Sequence, residues 1–411
     1  MQGSVRPRIP PSVGAQSEAT ANPVHVYQTT FAPFGVFDVI VVGLGGMGSA
    51  ALYELAKRGA RVLGIEQFEL SHTLGSSRST SRAFRKAYFT DPAYVTLAQR
   101  AQALWQTLEQ ESGARLLLMT GGLLIGPGEN PVMRGVRDSV ERHGLAHELI
   151  DQAELEKRYP ALRASDGGVA ILEHEAGVLL ADQCLDACVR LARQHGAAVH
   201  ASERVSSIEA GASGVAVRTS RAEYSAGALA LTAGPWLPSL WSSSRAPLVV
   251  ERQVELWFVP ESAQDFGPER LPLFNYVFST PGLSYYGIPM LGAAGVKAAR
   301  HYGGATVTAD DIDRKVSAAD ENDVREFLAR CVPRLDKPAA RGKVCMNTNT
   351  PDRHFVLGAH PARPNVILAG GFSGHGFKFA PVIGEIVADL ALSGNTAHSI
   401  ALFSPTRFDC P

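Results

Sequence analysis

The stretch that most constrains the fold is Phe37–Glu66, FDVIVVGLGGMGSAALYELAKRGARVLGIE. Its apolar run Val39–Val42 reads as a buried parallel strand. Gly43, Gly45 and Gly48 follow in G-x-G-x-x-G spacing at the mouth of an Ala/Leu-rich helix. The first glycine permits a tight turn, the second lets backbone approach a pyrophosphate, and the third lets the helix pack on the strand. The helix N-terminus offers free N–H groups and about half a positive charge to phosphates. Gly59 stops that helix, Arg61–Ile65 forms a second strand, and Glu66 ends it. A carboxylate there accepts both ribose hydroxyls of an adenosine and repels a 2′-phosphate. Strand, glycines, helix, strand and acid in this order predict a dinucleotide site. They do not decide between FAD and NAD.

The 411 residues suit two domains or one large α/β unit. Net charge is −1, with both signs spread along the chain, which gives no footprint for nucleic acid or an anionic membrane. No apolar run reaches the length of a spanning helix. The cysteines (Cys184, Cys188, Cys331, Cys345, Cys410) are few and lack metal-ligand spacing, so no metal is expected and a reducing, cytoplasmic setting is. Cys184 and Cys188 read as small buried residues of one helix. Residues 1–36 are rich in Pro, Ser, Ala and Gln, without periodicity or a continuous apolar segment, and are expected to be a disordered extension rather than a secretory signal.

After Glu66 comes a long connection centred on SHTLGSSRSTSRAFRKAY. It carries Ser76, Arg78, Arg82, Arg85 and Lys86 with no helical period, and its place after the second strand lets it run across a bound nucleotide. Asp91 and Pro92 cap a helix with Tyr94, Leu97, Ala98, Ala101, Leu104, Trp105 and Leu108 on one face. Leu116–Met119 and Leu123–Ile125 read as short strands. Asp182–Gln194 reads as a helix with Asp182 as its N-cap. Ala198–Ala201, Val215–Thr219 and Ala228–Thr232 read as strands returning to the nucleotide sheet. Alternation at Val254, Leu256 and Phe258, and at Phe274, Tyr276 and Phe278, predicts a mostly antiparallel second sheet, one wall of a substrate domain. Near the C-terminus, Val366–Leu392 runs from an apolar strand through a glycine-rich loop into a helix. That is a second helix start fed by glycines, so one long dinucleotide held by both ends of the chain is the simplest account.

The glycine fingerprint, GSSRSTSRAFRKAY, the VCMNTNTPD stretch and the closing AGGFSGHGFKF together resemble the monomeric sarcosine oxidase family. This group of D-amino acid oxidase-like flavoproteins includes the N-methyltryptophan and pipecolate oxidases. The resemblance runs from residue 37 to about 405. It implies a Rossmann-like FAD domain (37–115, 168–240 and 341–405) and a substrate domain (116–167 and 241–340). It also implies oxidation of a secondary or N-methyl amino acid to an imine, with O2 becoming H2O2, by an enzyme acting as a monomer. Residue by residue, Cys345 matches the covalent flavin attachment point. Arg85 and Lys378 match the pair that holds the substrate carboxylate, and Arg82 the arginine over the flavin. Lys297 matches the lysine for oxygen activation, and Tyr286 and His301 the pocket tyrosine and histidine. Gly374, Gly376 and Phe377 belong to the second flavin-binding loop. The chemistry suits these types: a planar guanidinium binds a carboxylate bidentately, an ammonium adds a point charge, and cations stabilise a reduced flavin.

Two positions depart from the family. Asn347 stands where relatives commonly have tyrosine, which bears on the substrate, and Arg78 stands where some have histidine, which bears on flavin contacts. Glycine oxidases and oxidases of cyclic amino acids share the pattern. An NAD-dependent dehydrogenase would share the glycine fingerprint but has no use for Cys345 or a second glycine-rich helix start. A silent binding subunit would keep the fold without flavin.

Overall fold

The computed structural model describes residues 37–164, 168–240 and 247–408. The N-terminal extension and Cys410 lie outside them. Two sheets dominate. The first is built on the strand Phe37–Val42, whose last four residues are all buried. It pairs in parallel with Val62–Ile65 on one side and with Glu223–Leu231 on the other. Ala198–His200 extends the sheet beyond Val62–Ile65, and Val205–Gly211 and Gly214–Thr219 form an antiparallel flank. Arg363–Gly370 adds in parallel to Glu223–Leu231, so the C-terminal strand lies one place from the first. Continuous apolar runs suit strands covered on both faces. One cover is the helix Gly46–Lys57, which packs against Ala181–Gln194 and Ala380–Ser393.

The contact with Ala380–Ser393 is close because Gly384 has no side chain: a Cβ there would lie 2.6 Å from the Ala50 carbonyl carbon. The expected helix over Asp182–Gln194 is present but begins at Ala181. Its N-cap is Leu180, and Asp182 lies in the first turn, where a carboxylate still complements the helix dipole.

The second sheet is mostly antiparallel. Its order runs Thr306–Val307, Val249–Phe258, Val296–Arg300, Ser284–Ile288, Leu273–Val277, Gly122–Gly126, Val169–Glu173, His147–Ile150. Leu273–Val277 and Gly122–Gly126 are its parallel pair. Arg341–Asn349 lies along Val249–Phe258 in nine consecutive antiparallel pairs, from Val249 opposite Asn349 to Trp257 opposite Arg341. This layout differs from the expected segments in three places. Val169–Glu173 and Arg341–Asn349, assigned by order to the nucleotide unit, belong to the second sheet. Leu117–Leu118, assigned to the substrate unit, joins Gly177–Leu179 and Arg82–Phe84 in a small separate sheet. In each case strand partners distant in sequence decide membership, and hydrophobic pattern alone does not encode them.

Candidate active site

The turn after the first strand explains its glycines. Gly43 has φ +91°, and a Cβ on it would meet the Ala233 Cα at 2.8 Å. A Cβ on Gly48 would lie 1.8 Å from the Gly43 carbonyl oxygen, so only glycine lets the helix start this close to the strand. Thr232 Oγ1 donates to the carbonyl of Gly43 at 2.7 Å and locks the turn. Glu66, at the end of the second strand, is buried. Its Oε2 accepts from Leu44 N at 2.9 Å and its Oε1 from Phe68 N at 3.1 Å. Burial raises its pKa, while these N–H groups pull the other way. Each oxygen keeps a lone pair for a further donor.

A cavity of about 720 Å³ is lined by this turn and by Ser76, Arg82, Cys345, Arg85, His301 and Lys378. Thr348 lines it with a buried hydroxyl that has no hydrogen-bond partner among the described residues. A glycine turn, a helix start, a buried carboxylate at the strand end and a long cavity with an unsatisfied hydroxyl fit a flavin dinucleotide. Gly43, Gly45, Glu66, Ser76, Cys345, Gly374, Gly376 and Phe377 all line this cavity, with Gly48 packed behind the turn against Gly43.

Arg82 lines the cavity. Its Nη1 donates to Glu255 Oε1 at 2.7 Å, its Nη2 to the Ser76 carbonyl at 2.9 Å, and its guanidinium carbon is 6.0 Å from the Phe377 ring centroid. Lys297 is 2 % exposed, and its Nζ donates to the Ser81 carbonyl at 2.6 Å and to Glu255 Oε1 at 3.2 Å. Burial lowers the Lys297 ammonium to about 8 against the pull of Glu255. Cys345, opposite Gln253 on the paired strands, is buried. Burial and the Glu255 carboxylate push its thiol up to about 11, opposed by Arg82, Lys343 and Lys297.

Lys378 is buried, with its Nζ donating to Tyr88 Oη at 2.7 Å and to the His375 carbonyl at 2.8 Å. Burial and the nearby Arg85 charge depress it to about 7. Among the described residues no carboxylate forms an ion pair with Arg85, which lines the same cavity. His301 is lowered to about 3 by burial and by the charges of Arg85 and Lys378, so its imidazole is neutral near pH 7. Tyr286 lies edge-on to it, ring centroids 6.0 Å apart. Asn347 also lines the cavity, and Gly374 (φ +76°) gives it room, since a Cβ there would lie 2.7 Å from the Asn347 Nδ2.

The fold thus brings Arg82, Arg85, Tyr286, Lys297, His301, Cys345, Asn347 and Lys378 to one cavity. Arg78 also lines it, but its guanidinium is held elsewhere, donating to Asp186 Oδ1 at 2.5 Å and to the Leu70 carbonyl at 2.7 Å. Its backbone carbonyl instead accepts from Lys343 Nζ. Sequence reasoning missed Ser77, whose Oγ accepts from Gly46 N at 2.8 Å, and Tyr88, the partner of Lys378. It also missed Glu255. Nothing in one sequence marks Ser77 or Tyr88 among similar neighbours, whereas a lone acid inside the alternating run Val254–Phe258 is a usable signal.

A family model described as FAD dependent oxidoreductase matches residues 38–390. A monomeric sarcosine oxidase of Streptomyces avermitilis is 41% identical over 375 residues, covering 90% of this chain and 97% of that one. The peroxisomal sarcosine oxidase of Homo sapiens is 34% identical, covering 91% and 96%. The N-methyl-L-tryptophan oxidase of Salmonella dublin is 32% identical, covering 90% and 99%. Among solved structures, NikD, an amino acid oxidase essential for nikkomycin biosynthesis, shares the fold with a TM-score of 0.80 at 24% identity, covering 90% of this chain and 97% of that one. The chain belongs to the FAD-dependent oxidoreductases, in the branch of the sarcosine and N-methyltryptophan oxidases.

Proposed function

We propose that this protein is an FAD-dependent oxidase of secondary or N-methyl amino acids, acting as a monomer in the cytoplasm. The observation that carries the substrate class is a cation pair lining the cavity, Arg85 and Lys378. Arg85 has no carboxylate ion-pair partner among the described residues, and Lys378 is buried beside it against a phenol and a carbonyl, a pairing suited to an external carboxylate. When bound, FAD supplies the two-electron acceptor that takes hydride from the carbon next to nitrogen and returns the electrons to O2 as H2O2.

The chain's own residues do the rest. Arg85 and Lys378 hold the acid group and so orient the amine. The neutral His301 adds no positive charge beside that amine, which favours the unprotonated form whose lone pair drives C–H cleavage. Arg82 and Lys297 put positive charge in the cavity wall, where it stabilises the reduced cofactor and assists oxygen reduction. We assign the covalent flavin link to Cys345, supported by its burial in the cavity wall among Arg82, Lys297 and Lys343. Those cations offset part of the burial and Glu255 charge that hold its thiol at about 11.

A panel of amino acids and amines with peroxide detection tests the activity. Peroxide should form with secondary and N-methyl amino acids, and a panel with no peroxide from any of them would overturn the reading. Mass spectrometry of the flavin-bearing peptide tests attachment. Cys345→Ala should yield protein without covalent flavin, and a wild type carrying flavin on another cysteine, or none covalently, would remove the assignment.

A further inference from the structure

Glu255 lines the cavity beside Arg82 and Lys297, and nothing in the proposed reaction uses it. It stands on Val249–Phe258, between Val254 and Leu256, and is 3 % exposed. Its hydrogen bonds come from other elements. Oε2 accepts from Ser79 Oγ at 2.8 Å, and Oε1 is shared by Arg82 Nη1 at 2.7 Å and Lys297 Nζ at 3.2 Å. Lys343, on the neighbouring strand Arg341–Asn349, adds a third cation, Cys345 and Tyr286 face the same corner, and Asp182 acts on Arg82 and Lys343 from the helix Ala181–Gln194. A carboxylate so far out of water is costly unless its partners compensate. Here three strands and the connecting loop converge to supply them.

We propose that Glu255 is a positioning residue for the oxygen half of the reaction: a buried counter-ion that fixes Lys297 and Arg82 against the cavity wall and keeps Lys297 an ammonium at neutral pH. The inference rests on the reading of Lys297 as the oxygen-activating group. Lys297 is the partner that needs this help, because a guanidinium keeps its charge when buried whereas an ammonium does not. Its other hydrogen-bond acceptor is the Ser81 carbonyl, and its ammonium also lies 5.8 Å from the Trp257 ring centroid. Neither replaces a full negative charge. With three cations around one carboxylate the corner remains positive, so the acid retains Lys297 without cancelling the field that the cofactor meets. Electrostatic balance at the pair agrees: Glu255, which burial alone would raise, is drawn down to about 2 by Arg82, Lys297 and Lys343.

The protonation of Lys297 can be read directly, without turnover, by NMR of the holoenzyme carrying 13C at lysine Cε, with Lys297→Met assigning the resonance. In the wild type its midpoint is expected near 8. Glu255→Gln should lower that midpoint by about one unit or more, the usual effect of removing an opposite charge at contact distance. Glu255→Asp should restore most of the difference. An unchanged midpoint in Glu255→Gln would overturn the proposal. Should Glu255→Gln not give folded, FAD-binding protein, the double variant Glu255→Gln/Lys297→Met is expected to recover both, because the orphaned cation leaves with its partner. A double variant no better than the single one would equally overturn it. The role of Lys297 itself is tested apart from the pairing, by the rate at which reduced Lys297→Met enzyme is reoxidised by O2. A wild-type rate there removes the oxygen-activating reading, while the NMR midpoint still decides whether Glu255 holds the ammonium.

Discussion

The proposed carboxylate clamp pairs Arg85 with Lys378. The Lys378 ammonium, depressed by burial and by Arg85 to about 7, is only partly charged near neutrality. Neutralising either, as Arg85→Gln or Lys378→Met, should lower kcat/KM for amino acid substrates by roughly 2–5 kcal/mol in free-energy terms, with much smaller losses for amines lacking a carboxylate. Equal losses for both substrate types would assign these cations to the cofactor or the fold. The sign of the pH effect follows from the depressed ammonium. Lys378 is protonated below its pKa and neutral above it, so affinity for a simple carboxylate inhibitor should fall as pH rises through 7. Inhibitor binding that is flat from about pH 6 to 9 would remove Lys378 from the clamp. Asn347 carries the prediction on substrate size. An amide in place of a phenol leaves space, two donors and two acceptor lone pairs in the wall. A cyclic amino acid, or an N-methyl amino acid with a real side chain, would fill that space, whereas sarcosine would leave water and lose orientation. Specificity constants for sarcosine, proline, pipecolate and larger N-methyl amino acids check this, and sarcosine giving the highest value would refute it.

At the level of elements, the helix Gly46–Lys57 is tied to its strand by the absence of one methyl group. Gly48→Ala places a Cβ where the Gly43 carbonyl oxygen is 1.8 Å away and the Thr232 hydroxyl 2.5 Å away. Relieving that overlap should cost about 1–3 kcal/mol of stability, as overpacking does, and move the helix start off the cofactor. Urea unfolding and FAD titration of the variant check both, and wild-type values would show that the turn relaxes freely. This unit was legible in the sequence because all its constraints are local: apolar run, glycine spacing, helix and terminal acid occupy one continuous stretch. The fate of Val169–Glu173 and Arg341–Asn349 was not legible, since their partners are fixed by pairing with distant strands. Glu255 was passed over for a different reason. The alternation Val254, Leu256, Phe258 correctly marks one apolar face, and the opposite face of such a strand ordinarily meets water. Here Gln253 and Glu255 line the cavity and Glu251 accepts from Gly303 N, Gly304 N and Asn349 Nδ2, so all three are buried. Arg82, Arg85, Lys297 and Lys378 were singled out through resemblance, because an isolated Arg or Lys has no local pattern that separates a cavity residue from a solvated surface.

Across the whole molecule, the cavity is walled by both sheets and by the connection that carries Arg82 and Arg85. Its charges link folding to pH. Glu255 is held at about 2, below the ordinary carboxylate range, so the stability it contributes is fully present above its unfolded pKa of about 4.3 and is lost as pH falls through the folded value. Acid unfolding of Glu255→Gln should therefore be less steep between about pH 4 and 2 than that of the wild type. Identical acid profiles would place the linkage on other carboxylates.

The pairing of Arg363–Gly370 with Glu223–Leu231, beside the first strand, has a consequence for how the protein is made. The glycine turn leaves the ribosome well before Gly374, Phe377 and the helix Ala380–Ser393. Partly synthesised chains therefore present half of a flavin pocket, with the inner face of Gly46–Lys57 uncovered until its C-terminal neighbour arrives. Cofactor capture is in this way a report that synthesis has passed Ser393: a stalled chain ending before Arg363 should emerge colourless, and one that includes the helix Ala380–Ser393 yellow.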